Sequence, residues 1–134
     1  KISCRSSEEP NYTHIRKYCQ TNIVENRRYL IIFLFLKNIK FNNKCDYIYL
    51  KGTSIKKIDL QSLEKLDNFS YFNGPLEELD ISNNPNLEHI WIKNTNIKVL
   101  DVSKNPKLKK ITVDEGTQII GPTNAQIEYN KKTE

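Results

Sequence analysis

Three aspartates, Asp59, Asp80 and Asp101, stand 21 residues apart, and three mixed rows keep the same interval: Tyr47, Asn68 and His89; Tyr49, Ser70 and Trp91; Lys51, Phe72 and Lys93. Aligned carboxylates can ligate a divalent cation, or act as general acid and base when paired in a cleft. Here no ligand-rich loop accompanies them, while Lys56, Lys57 and Lys98 lie close in sequence and can offset their repulsion. A solvated, internally paired ladder is the expectation, with no metal. Covalent catalysis needs a nucleophile beside a base. The chain has only two histidines, His14 and His89, neither with a Ser or Cys motif to partner it, and its four glycines form no phosphate-cradling loop. A non-enzyme without a cofactor is expected.

The cysteines separate by position. Cys45 stands 21 residues before Leu66 and 42 before Leu87, which marks it as a core thiol. Cys4 and Cys19 remain, and a disulfide between them would close a loop of about 16 residues and stabilise by about 3 kcal/mol. Two other readings stay open: free thiols in a reducing compartment, or lipidation of Cys4, since "ISC" resembles the end of a lipoprotein signal. No Cys-x-x-Cys or Cys/His spacing supports zinc.

These intervals are set by an internal repeat. "YIYLKGTSIKKIDL" from Tyr47 returns as "HIWIKNTNIKVLDV" from His89, and "LEELDISNNPNL" from Leu76 matches "IKVLDVSKNPKL" from Ile97. The middle apolar residue of each LxxLxL unit falls at Ile48, Ile58, Phe69, Leu79, Ile90, Leu100 and Ile111, in alternating steps of 10 and 11. Twenty-one residues are too few for a strand, a helix and two connections, but they suffice for a coil of two short strands and two turns. Stacked coils then give two parallel sheets facing across a narrow aliphatic core. Asn84-Pro85 and Asn105-Pro106 supply turn chemistry at the same interval. The fold class expected is mainly β, a solenoid of about 21-residue coils with two short parallel strands each.

Leu76, Leu79, Ile81 and Asn84, and again Ile97, Leu100, Val102 and Asn105, meet the pattern LxxLxLxxN. Over residues 45–119 the chain resembles the short nested leucine-rich repeats of bacterial secreted and cell-surface proteins. The resemblance implies binding of other macromolecules through exposed sheet residues, without enzymatic activity, in a secreted or surface setting. Phe69 and Tyr71 in aliphatic places, Gly74-Pro75 in place of a polar turn, and Gly116 where asparagine is expected depart from the pattern, and coil irregularity is expected there.

The register assigns the aspartate ladder to one sheet, face A, and the mixed rows to the other, face B. Trp91, Tyr49, Tyr47, His89, Phe72, Lys51 and Lys93 are the candidate binding residues, because aromatics that project from a rigid sheet have no inward duty and suit partner burial and cation-π contact. A protein partner is the first reading, since lysines flank the rings. A carbohydrate ligand and a purely structural spacer of a larger surface protein are the alternatives, and folding of the cap or tail over face B would remove the site altogether. The protein is expected to act as a monomer or weak dimer.

Residues 1–44 read as an N-terminal cap and residues 120–134 as a closing segment and tail. The spacing of Ile15, Tyr18 and Cys19 admits a helix over residues 8–20. "YLIIFLFL", from Tyr29, is eight residues long, too short to span a bilayer as a helix, and reads as a core strand. "AQIEY" alternates as a closing strand does, and "NKKTE" is expected to fray. The chain carries 21 Lys and Arg against 16 Asp and Glu, and the whole excess lies in residues 1–44, where nine cations meet three anions. These cations follow no nucleic-acid motif, so nucleic acid is not expected as a partner. Methionine is absent, as expected of a processed or trimmed chain.

Overall fold

The computed structural model describes residues 45–133 without a break, together with positions 23–24, 31–33 and 40–41. The expected Cys4–Cys19 bond, His14 and the helix over residues 8–20 lie outside the described residues, which contain strands, turns and no helix.

Among the described residues twelve strands follow in order: β1 (Ile23–Val24), β2 (Ile31–Phe33), β3 (Lys40–Phe41), β4 (Tyr47–Lys51), β5 (Lys57–Ile58), β6 (Asn68–Phe72), β7 (Glu78–Leu79), β8 (His89–Lys93), β9 (Val99–Asp101), β10 (Lys110–Asp114), β11 (Gln118–Ile120) and β12 (Gln126–Asn130). The even-numbered strands form one parallel sheet in the order β12-β10-β8-β6-β4-β2, and this sheet is face B. Its register pairs Ile48 with Phe69, Phe69 with Ile90, and Ile90 with Ile111, steps of 21 residues. On face A, β5 pairs with β7 and β9 with β11, while β1 and β3 form a further pair. The chain is thus a mainly β solenoid of 21-residue coils, as its spacing predicts.

Inward positions are filled as the pattern requires. Ile48, Leu50, Phe69, Tyr71, Ile90, Ile92, Ile111 and Val113 from face B meet Leu79, Ile81, Leu100 and Val102 from face A, all buried. Cys45 joins this core, and its burial pushes the thiol up to about 11, so it remains protonated at neutral pH.

Each coil closes through one repeated turn. Leu63, Asn84 and Asn105 donate their backbone N–H to the carbonyls of Leu60, Ile81 and Val102. The side chain of Asn84 reaches the preceding coil, where its Nδ2 donates to the carbonyls of Leu60 and Leu63, both at 2.9 Å. Asn105 does the same to Ile81 and Asn84, again at 2.9 Å. These buried amides satisfy carbonyls that a leucine would leave orphaned.

Two expectations are corrected. The coil stays in register through Gly74-Pro75, because Tyr71 compensates for the missing side chain. Threonines 53 and 95 place buried hydroxyls 42 residues apart, and Gly74 holds the place midway between them. Tyr71 spans that gap: its hydroxyl donates to the Ile55 carbonyl at 2.8 Å and accepts from Thr53 Oγ1 at 3.0 Å. A Cβ at Gly74 would lie 2.3 Å from the Tyr71 Oη and 2.8 Å from the Thr53 carbonyl oxygen, so the tyrosine and the glycine require each other. Residues 130–133 of the tail are likewise anchored, contrary to the expectation of fraying. Asn130 completes β12, and the Thr133 N–H donates to Asn94 Oδ1 at 3.0 Å while Asn94 Nδ2 donates to Thr133 Oγ1 at 2.7 Å. At Gly116, φ is +86°, a left-handed turn that glycine adopts without strain, and the step from Thr95 to Thr117 grows to 22 residues.

The coupling between Tyr71 and Gly74 is open to test. Tyr71→Ile and Gly74→Thr, which copy Ile92 and Thr95 of the next coil, each destabilise singly by about 1–3 kcal/mol through an orphaned carbonyl or a clash. The double variant, measured by urea unfolding, is expected to lose less than the sum, with a coupling of at least about 1 kcal/mol.

Candidate functional site

The five-residue strands of face B make it a flat, regular surface, and alternation along each strand turns every second side chain outward. The rows expected from the 21-residue interval are the rows observed: Tyr47, Asn68, His89 and Lys110; Tyr49, Ser70, Trp91 and Thr112; Lys51, Phe72 and Lys93. Trp91 is 52% exposed, the most open of the aromatic candidates with an assigned place in these rows. His89 and Lys51 are exposed, whereas Tyr47, Tyr49, Phe72 and Lys93 are half-buried.

Three of these residues form a continuous stripe. Phe72 packs against Tyr49 with ring centroids 5.3 Å apart and planes tilted by 42°, and against Trp91 at 5.0 Å and 79°, edge to face. Offset and edge-on geometries of this kind are the favourable ones for aromatic pairs. The stripe crosses β4, β6 and β8 as a chevron, with Tyr49 and Trp91 in one row and Phe72 in the next, and Ser70, between Tyr49 and Trp91 in their row, is buried. Lys51 and Lys93 stand in the Phe72 row on either side of that ring, and neither forms an ion pair with a described residue. Tyr47 and His89 flank Asn68 in the first row. Lys110 is occupied, its Nζ lying 3.0 Å from Glu128 Oε1.

Asp114, outward at the end of β10, is a residue whose role the repeat conceals. Buried at 1% exposure, its carboxylate accepts from the N–H groups of Asn94 and Thr95 at 2.8 and 2.9 Å and from Thr95 Oγ1 at 3.1 Å. It closes the turn after β8, and its role is structural. Its position 21 residues after Lys93 was legible, but a carboxylate where the other coils carry Lys or Phe gave no hint of a bonded role.

Face A is organised differently from the expectation. The three aspartates are exposed, as expected, but none forms an ion pair with a described lysine; Lys56 and Lys57 pair with Glu77 and Glu78 at 3.4 and 3.0 Å instead. Asp59, Asp80 and Asp101 each accept a backbone N–H two residues ahead, from Gln61, Ser82 and Ser103, all at 2.9 Å. These Asx turns bend the chain where the face A strands end, which keeps those strands to two or three residues. An open depression of about 550 Å³ lies on this face between Glu78, Asp80 and Ser82 of one coil and Val99, Asp101 and Ser103 of the next. Its aspartates are committed to turns and its glutamates to lysines, and the described residues contain no group of three or more His, Cys, Asp or Glu that could hold a metal ion. No helix among the described residues is long and apolar enough to cross a membrane.

No protein-family model matches the chain, and comparison with curated proteins and with solved structures likewise finds no match.

The turn role of the ladder predicts its titration. The Ser82 side chain and N–H, with help from Gln61, hold the Asp80 carboxyl below the usual carboxylate range, and Ser103 does the same for Asp101. Both folded values are depressed, so the small stabilisation they provide is present above the unfolded carboxyl pKa and is lost as pH falls through the folded one. Carboxyl NMR titration is expected to give midpoints for Asp80 and Asp101 below those of the unfolded chain, and Ser82→Ala is expected to raise the Asp80 midpoint alone.

Proposed function

We propose that this protein is a non-enzymatic recognition module, and that face B binds a protein partner through the stripe of Tyr49, Phe72 and Trp91. The observation that carries this reading is the half-exposed indole held edge to face on Phe72, with Lys51 and Lys93, which form no ion pair with a described residue, in the adjoining row. A rigid aromatic cluster offers large apolar area at small entropic cost, and such residues dominate interface energetics. Lys51 and Lys93 add a preference for a partner that presents apolar side chains beside a carboxylate. Tyr47 and His89 extend the platform along the first row.

The ring geometry favours protein over carbohydrate. Planes tilted by 42° and 79° make a corrugated surface into which side chains interdigitate, whereas an extended glycan stacks on ring faces that share a plane. The proposal agrees with what the leucine-rich-repeat resemblance implies, binding by exposed sheet residues in a secreted or surface setting.

The test is capture from an extracellular protein extract on the immobilised full chain, beside a glycan array, followed by titration of the captured partner. Trp91→Ala is expected to leave folding nearly intact and to weaken the partner about 30-fold, or about 2 kcal/mol. Asp80→Ala, on the opposite face, is expected to change binding little. Binding unaffected by Trp91→Ala, or confined to the glycan array, would contradict the proposal.

A further inference from the structure

Where the face B strands end, the 21-residue interval repeats a column of left-handed backbone: Gly52, Asn73 and Asn94 have φ of +66°, +55° and +55°. Asparagine is one of the few residues with a side chain that adopts this conformation readily. The residues that follow them are Thr53, Gly74 and Thr95, and position 74 is held to glycine because a Cβ there would run into the Tyr71 hydroxyl. Two separate demands of the fold therefore write Asn-Gly at one corner. Asn73 is the only asparagine of the chain that precedes a glycine.

That dipeptide is chemically labile. Once hydroxide removes its proton, the Gly74 nitrogen can attack Cγ of Asn73: a bond from that nitrogen to Cγ forms, the Cγ–Nδ2 bond breaks, and Nδ2 takes a proton from water and leaves as ammonia. Water then opens the resulting five-membered imide at either carbonyl. Cleavage at Cγ gives aspartate. Cleavage at the backbone carbonyl of residue 73 gives isoaspartate, whose main chain runs through Cγ and is one methylene longer. Attack is easiest before glycine, since no side chain crowds the nitrogen. Asn84 and Asn105 precede proline, which has no N–H to lose.

In the folded coil both reacting groups are engaged by the coil that follows. The Gly74 N–H donates to the Asn94 carbonyl at 3.2 Å, and Asn73 Oδ1 accepts from Asn94 Nδ2 at 2.6 Å. The Asn73 N–H is held as well, by the Lys93 carbonyl at 2.9 Å. Asn94 is in turn fixed by Thr133, to which its Nδ2 donates and from whose N–H its Oδ1 accepts. The nucleophile thus keeps its proton, and the side-chain amide it must reach is turned to the neighbouring coil. Asn73 itself is exposed, so water and base have access to it.

We propose that Asn73 is a modification site, converted to aspartate and isoaspartate through a succinimide, and that its hydrogen bonds to Asn94 hold the reaction shut until this corner opens. The isoaspartyl product adds a methylene to a coil whose length sets its fit, next to a glycine with no room to shift toward Tyr71 or the Thr53 carbonyl. Closing of the corner does not reverse it, so an opening that reacts leaves a coil that stacks poorly on the next. The site does not depend on the reading of face B.

The test is incubation of the full chain at mildly alkaline pH, folded and in denaturing guanidinium, with peptide mass spectrometry and isoaspartate detection at residue 73. Unfolded, Asn73 is expected to react ahead of every other asparagine; folded, it is expected to react at least about tenfold more slowly, as a reaction confined to an opened state does. Asn94→Ala is expected to speed the folded reaction about fivefold, the worth of one hydrogen bond, and to speed hydrogen exchange of the Gly74 amide in step. Guanidinium below the unfolding transition makes the same test without a variant, since Gly74 exchange and Asn73 conversion are expected to rise in parallel. No aspartate or isoaspartate at residue 73 in the unfolded chain, a folded rate equal to the unfolded one, or conversion that does not follow Gly74 exchange would each overturn the proposal.

Discussion

Everything in this fold depends on one coil lying in register on the next. A flattened 21-residue loop has two apolar rows and cannot bury either against itself, so the core exists only between coils. The interval that brings Ile48 under Phe69 and Phe69 under Ile90 also brings the Asn84 amide within reach of the Leu60 and Leu63 carbonyls. A slip of one residue would turn the aliphatic rows to water and lift the asparagines away from their acceptors together. Apolar burial and polar satisfaction therefore select the same alignment.

That alignment also divides the labour of the two surfaces. On face A the outward carboxylates are consumed locally, since each aspartate holds the turn that follows it. The polar ladder looks like a site in sequence, yet its chemistry serves the bend of the chain. On face B the longer strands are held by backbone pairing, and outward residues such as His89 and Trp91 stand exposed. The exceptions are informative: Ser70 is buried between Tyr49 and Trp91 in their row and Asp114 is bound to a neighbouring turn, so the surface narrows to the rings and lysines around Phe72.

The periodic parts of this molecule were legible from residues alone, because a repeat prints the same physical demand several times. Leu79, Ile81, Ile90, Leu100 and Val102 are placed inward by the LxxLxL interval and are buried. Cys45 is buried as its interval requires, and the three outward rows of face B also follow from the interval. What escaped was compensation at single positions. Gly74 reads as a break until the length of the Tyr71 side chain shows that its hydroxyl fills the gap, and that relation spans coils and not a window of sequence. The aspartates were legible as a ladder but were paired with the wrong groups, since lysine side chains advertise charge and backbone N–H groups do not. The anchoring of Thr133 on Asn94 joins residues 39 apart, beyond any local signal.

The central functional claim is that the face B stripe stands open in the free protein, and Trp91, the only tryptophan, reports on it alone. Intrinsic fluorescence with acrylamide quenching of the full chain at low concentration is the most direct measurement. A half-exposed indole gives red-shifted emission that acrylamide quenches readily, and that is the result predicted. Blue-shifted emission shielded from acrylamide would mean that another part of the chain already covers Trp91, and that face B is not a binding surface.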